Sequence, residues 1–141
     1  MLPAMQKTLL LITCVGAFLL MAAQAKPKPV PKKVMENGKK VYDTYCLPCH
    51  QQDGSGVPNM TPTLSKTTWV SGDKTKLVQV ILKGMKGVEV DGETYDNVMA
   101  AHDYLTDQEI ADVTTYIRNS FENKASMITP AEVKAIRAKT K

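Results

Sequence analysis

The chain has 141 residues, 43% hydrophobic and 23% charged, the composition of one ordinary globular domain. Aromatic residues make up only 6%, which excludes a large core built from ring side chains alone. The formal charge of +4 is mild and no basic patch is studded with aromatics, which argues against a nucleic-acid partner.

Residues 1–25 read as a secretory signal. Lys7 supplies the positive start, residues 8–21 the apolar run, and Ala23-Gln24-Ala25 an A-x-A site cut after Ala25. The run is short for a membrane span, so membrane attachment would require the segment to stay uncleaved. Cys14 lies inside it and would be discarded. Residues 26–33 hold Pro27, Pro29 and Pro31 with four lysines. Such a stretch cannot bury apolar surface and reads as an extended linker. Residues 34–125 form the body, and residues 126–141 a C-terminal helical extension.

The spacing predicts a first helix over 34–45, with Val34, Gly38, Val41 and Tyr45 on one face and Tyr42 beside them. Gly38 costs such a helix about 1 kcal/mol against alanine, a cost explained if another helix crosses there closely. This helix runs into Cys46-Leu47-Pro48-Cys49-His50, a C-x-x-C-H pentapeptide, the attachment signature of c-type haem. Each thiol can add to a haem vinyl group, and the adjacent imidazole becomes the proximal iron ligand. A thioredoxin-like redox pair would need a βαβ context, which is not visible. A structural zinc site would need four ligands, and beyond these three residues only His102 remains once Cys14 is removed. One covalent haem c on Cys46 and Cys49, with His50 on the iron, is the reading. It also supplies the missing core volume, and export fits it, because such haem is attached outside the cytoplasm.

Residues 51–68 are expected to be loop, broken by Gly54, Gly56, Pro58 and Pro62. A loop this long in a compact domain is often functional, and here it would wrap one haem face. A second helix is predicted over 74–83, entered through Asp73 and ended by Gly84. Alternation around Asp91-Gly92 suggests a short hairpin over 88–95. Thr106-Asp107-Gln108-Glu109 is a capping box with Leu105 and Ile110 as a staple, predicting a helix over 106–121. The device recurs at Thr129 and Glu132 with Ile128 and Val133, predicting a short helix over 130–139. Between residues 34 and 131 there are 9 Lys/Arg against 13 Asp/Glu. The body is therefore expected to be acidic and the two ends basic, so docking to a basic redox partner should slow as salt is added.

From about residue 38 to 123 the chain resembles small class I cytochromes c, in the branch associated with periplasmic copper nitrite reductases and quinoprotein dehydrogenases. The shared residues include Gly38, Tyr42, Cys46, Cys49, His50, Pro62-Thr63-Leu64, Trp69, Gly72-Asp73, Gly84, Gly92, Tyr95, Met99, Leu105-Thr106-Asp107 and Tyr116-Ile117-Arg118-Asn119. The resemblance implies an all-α fold: three to four main helices wrapped around one covalently bound haem, with a long haem-wrapping loop. It also implies that the first and long C-terminal helices cross at Gly38. The Pro62 carbonyl would accept from His50 Nδ1, and Trp69 would pack at the haem edge. Met99 would be the distal ligand, giving the iron a His50/Met99 pair. The family usually has Met-Pro at this place, whereas here it is Met99-Ala100. Met60, Met85 and His102 are the other candidates, His102 the serious one.

The implied function is one-electron transfer, without catalysis, in the periplasm, as a monomer or as a subunit of a complex. The partner would be a dehydrogenase, reductase or oxidase. The alternatives are a tightly bound cytochrome subunit of such an enzyme, and a ligand-binding or peroxidatic haem protein with an open distal site.

Overall fold

The computed structural model describes residues 29–140. The expected signal segment, and the linker as far as residue 28, lie outside the described residues. Six helices follow in order: α1 (Lys32–Tyr45), α2 (Leu47–His50), α3 (Thr68–Ser71), α4 (Lys74–Lys83), α5 (Asp107–Arg118) and α6 (Pro130–Lys139). Among the described residues there is no strand, only the isolated bridges Val57–Thr61, Met85–Met99 and Val90–Glu93. No described helix is long and apolar enough to cross a membrane.

The helix limits follow from their end residues. The Asp73 side chain accepts from the backbone N–H groups of Thr75 at 2.6 Å and Lys76 at 3.1 Å, which starts α4. Gly84, with φ 70 and ψ −173, ends it. Thr106 and Glu109 cap α5 reciprocally: the Thr106 hydroxyl accepts from Glu109 N–H, and Glu109 accepts from Thr106 N–H. Thr129 and Glu132 do the same for α6. Two expectations need correction. The fifth helix stops at Arg118, short of residue 121, because Phe121 and Glu122 take left-handed φ angles of 54 and 62. There Asn123 donates to the Leu64 and Ile117 carbonyls at 2.8 and 3.0 Å. The hairpin shrinks to the single Val90–Glu93 bridge around Asp91 and Gly92, since so brief a pair of strands has no third partner to sustain it.

Helix α5 is buried almost all round, from Ile110 to Arg118 apart from Tyr116, so it is the interior element. Helix α1 crosses it at Gly38. A Cβ there would collide with the Asp112 carbonyl oxygen and lie 2.6 Å from Tyr116 Cβ. The close helix crossing expected at Gly38 is thus present. One core cluster joins Leu77, Ile81 and Leu82 of α4 to Ile110 and Ala111 of α5 and to Ile128, Val133 and Ile136 from the C-terminal extension. The other joins Tyr42, Val70, Val113 and Ile117, flanked by Phe121 and Tyr116. Burying each such aliphatic side chain is worth about 1.5–3 kcal/mol. Arg118 is 2% exposed and binds the carbonyls of Val70, Gly72 and Ser126 at 2.6, 3.1 and 2.9 Å. It thereby fastens the end of α5 to the α3 turn and to the extension.

Candidate haem site

The C-x-x-C-H pentapeptide is set by α1. Cys46 N–H bonds Tyr42 O at 2.9 Å as α1 ends, and Cys49 and His50 N–H both return to Cys46 O, at 3.2 and 2.9 Å. This single helical turn, α2, puts Cys46, Cys49 and His50 at the spacing that shares one helix face. Gln51, with φ 65, then breaks the turn, and its carbonyl accepts from the Tyr42 hydroxyl at 2.7 Å.

His50 is 9% exposed, and its Nδ1 stands 3.2 Å from the Pro62 carbonyl oxygen. A carbonyl only accepts, so Nδ1 carries the proton and Nε2 keeps its lone pair for a metal. Burial pushes the imidazole pKa down, with the Pro62 bond acting the other way, which favours the neutral ring that a ligand needs. The Thr61–Pro62 segment can come this close because of Gly56. Its φ is 69, and a Cβ there would meet the Thr61 carbonyl and lie 2.6 Å from that of Pro62. Cys46 and Cys49 form no disulfide. Burial, and next the neighbouring Cys49, push the Cys46 thiol up to about 12.

Met99 sits on a strap formed by the chain between α4 and α5. Met85 N–H bonds Met99 O and Met99 N–H bonds Met85 O, each at 2.9 Å. His102 N–H bonds Ile81 O at 2.8 Å. On its other side the strap is stitched to the loop before Pro62. Asp96 N–H bonds Asn59 O at 3.0 Å, Asn97 N–H bonds Met60 O at 3.1 Å, and the Asn97 amide donates to the Thr61 hydroxyl at 3.1 Å.

These elements enclose a cavity of about 220 Å³, and Cys46, Cys49, His50, Pro62, Trp69 and Met99 all line it. Trp69 is half-buried, with Lys76 Nζ 3.4 Å from its ring centroid. Met60, Met85 and His102, the other ligand candidates, reach the same wall. The His102 Nδ1 pairs with the Tyr104 hydroxyl at 3.2 Å. Sequence reasoning missed Asn97 and Thr67 as lining residues; neither carries a motif, and only the pairing of distant loops places them. Among the described residues no group of three or more His, Cys, Asp or Glu is placed to hold a metal ion.

The donor set fits a haem. Two thiols on one helical turn suit thioether bonds to a macrocycle, a buried neutral imidazole and a thioether are both iron donors, and the walls between them are mainly apolar.

Comparison with known proteins agrees. The family model described as Cytochrome c matches residues 35–121. The chain is 34% identical over 113 residues to cytochrome c-552 of Thermus thermophilus, covering 73% of this chain and 86% of that one. It is 37% identical over 105 residues to the alcohol dehydrogenase (quinone) cytochrome c subunit of Gluconacetobacter polyoxogenes, covering 71% of this chain but 22% of the subunit. Among solved structures, the c-type cytochrome XoxG from Methylobacterium extorquens AM1 aligns at a TM-score of 0.46 and 17% identity, over 77% of this chain and 67% of that one. A family match over more than half the chain and a relative matched along most of its length decide the assignment: this chain belongs to the cytochrome c family, as a class I electron-transfer protein carrying one haem c on Cys46 and Cys49.

Proposed function

We propose that the chain is a periplasmic one-electron carrier whose haem iron is held between His50 and Met99. The observation that supports this is convergence: His50 and Met99 line one cavity with both cysteines, His50 held by its ring bond to the Pro62 carbonyl and Met99 by its backbone bonds to Met85. When bound, the haem supplies a single electron exchange between ferric and ferrous iron, and a soft thioether ligand favours the ferrous form and raises the potential. The protein's part is to hold and tune. Cys46 and Cys49 anchor the macrocycle. The Pro62 carbonyl orients His50 and raises its basicity. Trp69 would pack against the haem, and the apolar walls would keep water from the iron. With His50 and Met99 both holding the iron, no position would be left for a substrate, which would make a carrier.

In this reading residues 1–25 are a signal cleaved after Ala25, and residues 26–33 a linker whose last two lysines already belong to α1. Residues 34–125 are the cytochrome domain and 126–141 its helical extension. The electron partner is a dehydrogenase, reductase or oxidase. A second reading, a bound subunit of a dehydrogenase, is favoured by the relative that serves as an alcohol dehydrogenase cytochrome c subunit. Stable copurification with such an enzyme would select it.

The ligand assignment is tested by two variants. Met99→Ala is expected to lower the reduction potential and open the ferrous protein to carbon monoxide, while His102→Ala does neither. The reverse result would make this a bis-histidine cytochrome and overturn the assignment. Carbon monoxide binding by the unaltered protein would instead indicate an open distal site.

A further inference from the structure

Among the described residues five large apolar side chains stand exposed: Tyr45, Met60, Val88, Val98 and Tyr104. Four line the mouth of the haem cavity. The fifth, Tyr104, is 62% exposed, lies outside the cavity and packs edge-on against Tyr45 with centroids 5.8 Å apart. Exposed apolar side chains scattered singly would mean little, but these are gathered at one place, as at an interaction site.

The charge along the Met99 strap is one-sided, while Lys76 stands over Trp69 of the same cavity. Residues 86–104 carry Glu89, Asp91, Glu93, Asp96 and Asp103 against Lys86 alone, all exposed. The ion pairs of the described residues use other carboxylates: Glu36, Asp43, Glu122, Glu132 and Asp107. Asp91 and Glu93 accept only from the hydroxyls of Thr67 and Tyr95, which leaves their charge in place. A local balance of −4 thus borders the apolar mouth, in a chain whose residues 26–141 carry 17 Lys/Arg against 14 Asp/Glu, a formal charge of +3.

We infer that this mouth is the docking face for a redox protein whose contact surface is apolar at its centre and ringed by lysine and arginine. The inference rests on the electron-transfer function and names the partner chemistry of that same site. An anionic membrane surface, or the same face of a second copy, would be repelled by the strap carboxylates.

The test uses the reduced, haem-loaded protein and two outer-sphere oxidants of opposite charge, tris(phenanthroline)cobalt(III) and ferricyanide. The net charge of residues 26–141, +3 before the two haem carboxylates are added, predicts little preference between the ions; the local face predicts the cation. The expected result is a cobalt reaction about tenfold faster at low ionic strength than in molar salt, with ferricyanide showing the opposite slope. Glu89→Lys should flatten both slopes. Glu36→Lys makes the same change of charge on α1, nine residues before Tyr45 and so about 13 Å along the helix, beyond the Debye length of about 8 Å at 0.15 M, and should shift the rates at that ionic strength by less than about twofold. Equal shifts from the two variants in haem-loaded protein overturn the docking face and leave the cytochrome reading intact. Purified mature protein without haem absorption overturns that reading and the inference with it. Electron self-exchange between copies should speed up with salt; exchange that slows with salt assigns the face to a second copy. Binding to phosphatidylglycerol vesicles that Tyr104→Ser abolishes assigns it to lipid. Either result overturns the basic partner.

Discussion

Gly84 is the place where a small change should loosen the proposed ligand Met99 without touching it. Its φ of 70 and ψ of −173 fall in a region used almost only by glycine, where an alanine is strained by about 1–3 kcal/mol. A Cβ there would also run into the Met99 carbonyl oxygen and lie 2.8 Å from Ala101 N and 2.9 Å from Ala100 C. These are backbone atoms that cannot swing aside, so the pair of 2.9 Å bonds between Met85 and Met99 must yield, each worth about 1 kcal/mol net. A loss of about 2 kcal/mol from the strap raises the fraction of molecules with Met99 displaced about 30-fold, and the apparent carbon monoxide affinity of the ferrous protein by the same factor. Gly84→Ala is therefore expected to lower the reduction potential and raise carbon monoxide affinity about 30-fold. Gly87 provides the matched control: its φ is 61, but a Cβ there meets nothing within 4 Å. Gly87→Ala should carry part of the backbone strain and leave carbon monoxide affinity within about threefold of the parent. Titration of both ferrous variants with carbon monoxide decides it. Equal effects, or none from Gly84→Ala, would refute the idea that this close approach fixes Met99.

Gly38→Ala should destabilise the fold although alanine is the better helix former. The gain of about 1 kcal/mol in propensity is outweighed by overpacking of about 1–3 kcal/mol against the Asp112 carbonyl and Tyr116 Cβ, lowering Tm by several degrees in a melting scan; a raised Tm would show that α1 and α5 separate freely. A second stability effect follows pH. The Glu132 carboxyl lies below its ordinary value of 4.5, chiefly through the hydrogen bond from Lys74, with burial opposing and Thr129 assisting. A depressed folded-state pKa means that its stabilisation is complete above pH 4.5 and fades as pH falls through the folded value. Denaturant titrations on either side of pH 4.5 should show the loss, with a smaller acid slope in Glu132→Gln; an unchanged slope would rule out Glu132 as a contributor.

The parts of the fold legible in the sequence are those whose signals are local. Helices α4 and α6 begin and end where Asp73, Gly84, Thr129 and Pro130 say they should, because caps act through bonds two or three residues long. The pentapeptide was legible for the same reason, since one helical turn suffices to align its three side chains. The end of α5 was not, because Asn123 binds carbonyls from both α5 and the distant Leu64. The single-turn α3 was missed as well; its end is held by Arg118 of α5, 46 residues away in sequence. Residues 126–141 read as an appendage in the sequence, yet Ile128, Val133 and Ile136 belong to the main cluster, and Arg137 of α6 binds Asp107 and the carbonyls of Asp103 and Leu105, each at 2.7 Å. Within the site, Met99 could be chosen only by resemblance. What holds its backbone is a pairing with Met85 between two irregular stretches, which have no periodicity to reveal it.

The stitches between residues 59–61 and 96–97 also impose an order on assembly. Once Asn59, Met60 and Thr61 are bonded to Asp96 and Asn97, the chain from the His50 loop to the Met99 strap is a closed girdle rather than two independent flaps. A rigid disc too wide to slip beneath a fastened girdle has to be seated before the clasp is made. Helices α1 and α5 need no such clasp to cross, since Gly38 and the Tyr42–Tyr116–Phe121 rings meet away from it. Attachment would then call for a half-built frame: the cysteines offered on a formed helical turn, the cofactor attached, and the girdle closed last.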